Sequence, residues 1–578
     1  MSTSAVDRVL SIPHLLGHVL EIFAPEWSDD RIGLIIEQEK RNRACRRNLA
    51  RLARVNKTFS ETALGVLWRN LDDLAVLLRV LPSFKSGRHW EMLEHVTQPD
   101  WVRFQEYAKR VQGLRWHFAR SRPVHRTVWI MLERKSAGQP LLPRLRTLAL
   151  MSLRVNDPVT LTVLLAPSVR NLRLSFEDGL TMPEDLTHTR LSPVGILLQL
   201  AIEAVPQLST LHIESGLPKQ MPTLPYFSPL VHLNGLEKLD LLYSGAVVDY
   251  QTLQLFSHIP SLRNLLVQLS LADAGQADDL RFGEAFERLG ELHLSGSIYE
   301  IRRVIQASNF LNLTSFALSV SIANTIEDLK DALAAICNRM PQSIDDANLF
   351  CSAAISSPAM SLAEILRPYL SFDKLGTMDV EFDNYVPRVD DHDCLAFARA
   401  WPSLTRFHLS CWMPETHRRR PDPPPQPTVL GLAEFARHCP RLDLLTLPYL
   451  DVWTLPSPRS VPRSGQEALR HLQIAEYLGG ETANLLDLAL ILDLLFPRLG
   501  CERSVTLQSR SGFTIPTHRR PVEMTYNLLG AMAARRRLDD EGSAAGDADE
   551  SRGRSGAHNA DEMDEDEYAD EDSDDVIE

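Results

Sequence analysis

At 578 residues the chain is longer than one ordinary hydrophobic core supports, and its 44% hydrophobic and 24% charged residues are globular composition. The net charge of −14 belongs to one end: residues 539–578 hold 18 Asp or Glu against two Arg, so the rest carries 59 basic and 57 acidic side chains and has no global bias toward nucleic acid or basic partners. Seven cysteines without CxxC spacing argue against a disulfide framework or a structural zinc site, and the longest apolar run, the twelve residues "LLDLALILDLLF" at 485–496 interrupted by Asp487 and Asp493, is too short for a membrane span.

The first predicted element is a helix in "IPHLLGHVLEIF", residues 12–23. Pro13 suits a first helical turn, and Leu15, Leu16, Val19, Leu20, Ile22 and Phe23 recur at helical spacing as a wide apolar face. Asp7 and Arg8 before this broken apolar run make it a poor signal peptide, so a cytoplasmic or nuclear location is expected. After a charged connection, residues 48–82 read as a second helical stretch. Leu49, Leu52, Val55 and Phe59 line one side of it, and Arg43, Arg47, Arg51 and Arg54 another. The basic run from Lys40 to Lys57 lacks interleaved aromatics, which favours a solvated face over nucleic acid.

From about residue 111 a motif of the form LxxLxL recurs. Its first apolar residue is Leu145, Val169, Leu208, Leu236, Leu262, Leu289, Leu313, Leu375, Leu404, Leu442 and Leu469 in turn. Most steps are 24–29 residues, two are 38 and 39, and one gap of 62 has room for a degenerate unit around "MPQSIDDANLF", 340–350. The period-2 end of each motif predicts a short strand, with positions such as Phe407 and Leu409 facing inward and His408 outward. Helical patterns lie between strands, at 193–205, 327–340, 391–401 and 431–439, and a Pro commonly stops them before the next strand. Each unit is then helix, Pro, strand, and stacked units share one continuous core.

Over roughly 111–500 this pattern resembles the leucine-rich repeat family. The family's usual Asn or Cys after the last Leu is replaced by Ser244, Ser270, Ser297 and Ser321 in the middle units, which implies an irregular solenoid. The competing reading is an ordinary α/β domain with Leu-rich strands. Residues 12–82 look like the F-box, and "LWRNLDDLAVLLRVLP", 67–82, is similar to the segment just after the box in fungal F-box proteins. That resemblance implies a substrate receptor. A Skp-type adaptor, and through it a cullin, would be held by Pro13, Leu15, Leu16, Val19, Leu20, Phe23, Leu52, Val55 and Phe59, and a protein substrate by the repeats. The connection at 24–47 is longer and more charged than the family's. The alternatives left open are a capping bundle at the end of the solenoid and a scaffold with no ligase role.

The whole chain is therefore expected to be α/β: a helical F-box-like domain at 8–82, a leucine-rich-repeat solenoid at 83–530 and a disordered acidic tail at 531–578. Substrate contacts are expected at the outward strand positions Arg173, His212, Asp240, His293, Asp379, His408 and Gln473. "DDHDC", 390–394, contains metal-ligand types, but Asp at a helix start is expected to cap. "HRRRPDPPPQP", 417–427, reads as an exposed loop, and "RRR" at 535–537 is a weak import signal. No nucleotide loop, nucleophile elbow or HExxH is present, so no enzymatic activity and no cofactor are expected.

Overall fold

The computed structural model describes residues 12–532 except 26, 28–34, 88, 155–157, 178–192, 218–222, 272–281, 283–285, 356–357, 412–424, 462–465, 480–483, 500–521 and 523. The acidic tail, the "RRR" at 535–537 and most of the Pro-rich stretch lie outside the described residues.

Three helices open the fold: α1 (Pro13–Glu21), α2 (Ile35–Leu52) and α3 (Lys57–Leu67). The helix expected from 48 onward is broken. The chain leaves helical pairing after Leu52, and Asn56 restarts it by accepting a hydrogen bond from the Phe59 N–H at 2.9 Å. Leu16, Leu20, Leu49, Ala63 and Val66 form a small core of their own, with Phe23, Leu52 and Phe59 packed against it.

Strand β1 (Asn70–Leu71) comes next, then an antiparallel hairpin of β2 (Phe84–Ser86) and β3 (Trp90–Met92). The solenoid strands are β4 (Gly113–His117), β5 (Thr147–Leu153), β6 (Asn171–Phe176), β7 (Thr210–Ser215), β8 (Lys238–Asp240) and β9 (Asn264–Gln268). They continue with β10 (Glu291–Ser297), β11 (Ser315–Ile322), β12 (Asp346–Cys351), β13 (Thr377–Phe382), β14 (Arg406–Cys411), β15 (Leu444–Asp451) and β16 (His471–Leu478). Apart from the hairpin, all 14 pair in chain order in one parallel sheet. A doubly wound sheet would show a reversal of strand order, and there is none here. Helices of successive units pack beside one another, and every aligned apolar residue from Leu145 to Leu469 is buried in one contiguous core. Among the described residues no helix is long and apolar enough to cross a membrane.

That second core begins at Leu71 and includes Leu74, Leu77, Leu78 and Leu81. Residues 70–82, grouped with the helical domain in the sequence, therefore pack with the repeats. β1 is the reason, since it pairs with β4 through Asn70↔Gly113 and Leu71↔Leu114.

A small hydrogen bond ties the repeats together. The residue before the aligned apolar position is often Ser, and its hydroxyl donates to the aligned carbonyl one unit earlier. Ser168 reaches Leu145 at 2.8 Å, Ser261 reaches Leu236 at 2.7 Å and Ser343 reaches Leu313 at 2.8 Å. Ser343 fixes Ile344 as the aligned residue of the degenerate unit, so the gap of 62 is two steps of 31. Of the four serines at the Asn/Cys position only Ser244 is fully buried. Its hydroxyl donates to the Leu241 carbonyl at 2.7 Å and accepts from the Ala246 N–H at 3.1 Å, a local turn bond rather than a ladder between repeats.

Candidate interaction surfaces

Strand registers align the seven outward positions in one transverse row. It runs Arg115, Ala149, Arg173, His212, Asp240, Leu266, His293, Ala317, Asn348, Asp379, His408, Thr446, Gln473. Reading single motifs missed Arg115, Ala149, Leu266, Ala317, Asn348 and Thr446, which are in register with the others.

Alignment on one face did not make all seven exposed. Asp240, His293 and Asp379 are buried beneath their neighbours, whereas Arg173, His212, His408 and Gln473 are half-buried. The row is internally paired. Arg173 pairs with Glu214, His212 Nδ1 lies 2.8 Å from Asp240 Oδ2, and Arg406 Nε lies 3.2 Å from Asp379 Oδ1. His293 Nε2 meets the Ser319 hydroxyl at 2.8 Å. Charge reversal at Asp240 or Asp379 would therefore disturb the fold as well as a partner.

Asp240 also carries a pH signature. Burial pushes its carboxyl up, but the His212 hydrogen bond and charge, the Leu242 N–H and Lys238 outweigh burial and hold it below the usual carboxylate value. The folded protein then binds this proton less readily than the unfolded chain does. The stabilisation is fully present above the unfolded carboxyl value of about 3.9 and is lost as pH falls through the lower folded value. Asp240→Asn should lower the melting temperature near neutral pH, with the gap to wild type closing below about pH 4. Parallel melting curves across the acid range would show no such convergence if the carboxylate were merely solvated.

The acidic stretch at 390–394 is used for capping. Asp390 caps the helix Asp391–Ala400 by accepting from His392 and Asp393 N–H, and Asp393 completes a capping box and accepts from the Ser361 hydroxyl at 2.6 Å. Asp391 reaches the next unit, accepting from Thr428 N–H at 2.8 Å, Thr428 Oγ1 at 2.8 Å and Gly431 N–H at 3.0 Å. A Cβ at Gly431 would lie 2.6 Å from the same carboxylate oxygen, which explains the glycine. Among the described residues no group of three His, Cys, Asp or Glu is placed to hold a metal ion. Asp391→Ala should cost about 2 kcal/mol, the loss of charge-assisted bonds to a neighbouring helix start, measurable by urea denaturation.

The residues matched to an adaptor-binding site divide into two stripes on α1. Leu16 and Leu20 are fully buried and Phe23 packs beside them, so these three hold the bundle together. Ile12, Leu15, Val19 and Ile22 recur three and four apart as a second stripe; Val19 is 40% and Ile22 79% exposed. Ile12 and Ile22 lie on the stripe that the matched set divides. Leu52 and Phe59 are partly buried against the bundle core, and Val55 is exposed in the break between α2 and α3. Pro13 sits in the first turn of α1.

The bundle is fastened to the first end of the solenoid. Arg69 holds Glu21 through Nη1 to Oε2 at 2.8 Å, Arg46 pairs with Asp72, and Arg110 donates to the Glu61 carbonyl at 3.2 Å. Trp27 lies against the sheet. Its ring sits 5.4 Å from the Arg115 guanidinium carbon, and it occupies the space a Cβ at Gly113 would take.

The cysteines at 337, 351, 394, 411 and 439 are buried, and burial raises their thiols, Cys351 to about 11 and Cys411 to about 12. They pack in the solenoid core.

No family model and no curated protein matches the chain. Two solved structures are similar to it in part. A leucine-rich repeat protein of Leptospira interrogans is 13% identical, with 75% of this chain and 92% of that one covered and a TM-score of 0.32. The leucine-rich repeat-containing protein LegL7 of Legionella pneumophila is 18% identical, with 48% of this chain and 87% of that one covered and a TM-score of 0.26. The architecture of this chain, an α/β solenoid with a long parallel sheet, rests on its own strand order and repeat register.

Proposed function

We propose that the chain is a non-enzymatic protein-interaction solenoid acting as a substrate receptor of a cullin-type ubiquitin ligase. The helical block docks on a Skp-type adaptor, and the sheet face carrying the aligned row holds a protein substrate. The observation that carries this reading is the outer stripe of α1. Ile12, Leu15, Val19 and Ile22 form an apolar line on a helix whose other stripe already builds the bundle core. A helix apolar on two sides has a second surface to bury. The resemblance of 12–82 to the F-box supplies the partner, and that partner sets a cytoplasmic or nuclear location. Co-purification of the tagged chain with adaptor and cullin tests it. Recovery of both from wild type and of neither from Ile22→Asp is the expected result, and failure to recover them with wild type would refute the ligase role.

The second reading is a scaffold whose bundle only closes the solenoid. It is favoured by the ion pairs of Arg69, Arg46 and Arg110 and by the seating of Trp27 over Gly113. It predicts that Ile22→Asp changes no partner.

A further inference from the structure

Near the middle of the sheet, above β10, β11 and β12, lies a cavity of about 410 Å³. Its floor is Leu266 and Ala317, both nearly buried members of the transverse row, and its wall includes Tyr243, whose side chain is largely exposed. Glu291 and Asp346 face it from the next row. They flank Ser315 in register, two strand spacings or roughly 10 Å apart.

The polar groups differ in how far they are satisfied. Glu291 has Lys238 at 3.6 Å and the Asn264 amide. Asp346 accepts from the Ser315 hydroxyl at 2.8 Å and the Asn348 amide at 3.2 Å, and it has no cationic partner among the described residues. Asn348 is 6% exposed and lines the cavity, and its amide oxygen accepts no hydrogen bond among the described residues. That oxygen stays accessible, so an incoming donor can reach it. A group that fits this lining donates N–H, carries positive charge and brings an apolar stem for Leu266 and Ala317. An ammonium or guanidinium on a methylene chain meets all three needs, and Tyr243 adds a ring face to the cation.

We propose that this cavity is a subsite for an arginine or lysine side chain presented by an extended segment of a protein partner. The proposal rests on the reading that this face of the sheet holds protein, and it specifies the chemistry recognised there. Burial, with the nearby charges of Asp379 and Asp345, raises the Asp346 carboxyl. The Ser315 and Asn348 hydrogen bonds act the other way and do not outweigh burial.

The test uses the full chain with labelled triarginine and tricitrulline, which differ in charge and not in shape, in fluorescence anisotropy. Triarginine should bind at least tenfold more tightly than tricitrulline. Asp346→Asn should weaken triarginine tenfold or more while leaving the melting temperature at or above wild type. Tyr243→Ala, a change at an exposed ring, should weaken it severalfold. Glu203→Gln, on the helix Pro193–Ala204 of the opposite layer, should change nothing and reports binding to acidic surface in general. Equal binding of the two peptides, or equal losses from Asp346→Asn and Glu203→Gln, would overturn the subsite. So would a calcium-dependent rise in melting temperature abolished by Asp346→Asn without any peptide binding, since that would make the cavity a metal site. Adaptor recovery with Asp346→Asn should match wild type. Peptide binding in a chain that recovers no adaptor would keep the subsite and remove the ligase role.

Discussion

Leu16→Asp should unfold the helical block and leave the solenoid standing. Leu16 is fully buried in a core that, among the described residues, consists of Leu16, Leu20, Leu49, Ala63 and Val66 with a few half-buried neighbours. Deleting a buried Leu side chain costs about 2–5 kcal/mol, and an unpaired carboxylate in its place adds desolvation. A core that small has little reserve. The solenoid core is a separate cluster beginning at Leu71, so its unfolding transition should persist. Limited proteolysis should cut first between residues 35 and 67 in the variant, with the rest protected. Val19→Asp and Ile22→Asp should be cut no faster than wild type, because those side chains face outward. A Leu16→Asp chain that melts like wild type would mean that the helices hold without this core.

Trp401→Ala should produce the largest loss in the repeats. Trp401 is fully buried, stacks on Phe397 at 5.2 Å between ring centres and leans on Phe407 at 6.2 Å. Its indole N–H donates to the Tyr369 carbonyl one unit earlier at 3.2 Å. Removing a buried Trp costs about 3–5 kcal/mol, and this one also takes away a bond between units, leaving the Tyr369 carbonyl with only the Phe372 N–H at 3.1 Å. Stability in a solenoid is largely the sum of units and nearest-neighbour interfaces, so damage at one interface uncouples the units beyond it. Urea unfolding of the variant should split or broaden, with β14 to β16 lost at lower denaturant than the earlier strands. One sharp transition shifted by less than about 1 kcal/mol would contradict that uncoupling.

The repeat register was legible because LxxLxL states its own geometry: apolar residues two apart must face one way, so the residue between them faces the other. Hence Arg173, His212 and Gln473 fall in the observed row. Asn348 was hidden because "MPQSIDDANLF" keeps only Ile344, Ala347 and Leu349 of the apolar pattern. The burial of Asp240 and Asp379 was not legible either, since it depends on the length of side chains in adjacent strands. On α1 the sequence shows a face too wide for one contact. It does not say that Leu16 turns inward and Val19 outward, because that choice is made by α2 and α3. The stop after Leu52 was masked by apolar residues that continue at helical spacing, although Asn56 is a good cap.

The most direct measurement is a calorimetric titration of purified Skp-type adaptor into the wild-type chain and into Ile22→Asp. A substrate receptor should bind it at micromolar affinity or tighter, about 8 kcal/mol or more, and Ile22→Asp should lose at least tenfold with its melting temperature unchanged. No heat of binding from the wild-type chain at adaptor concentrations of tens of micromolar, or equal affinities for the two proteins, would contradict that role.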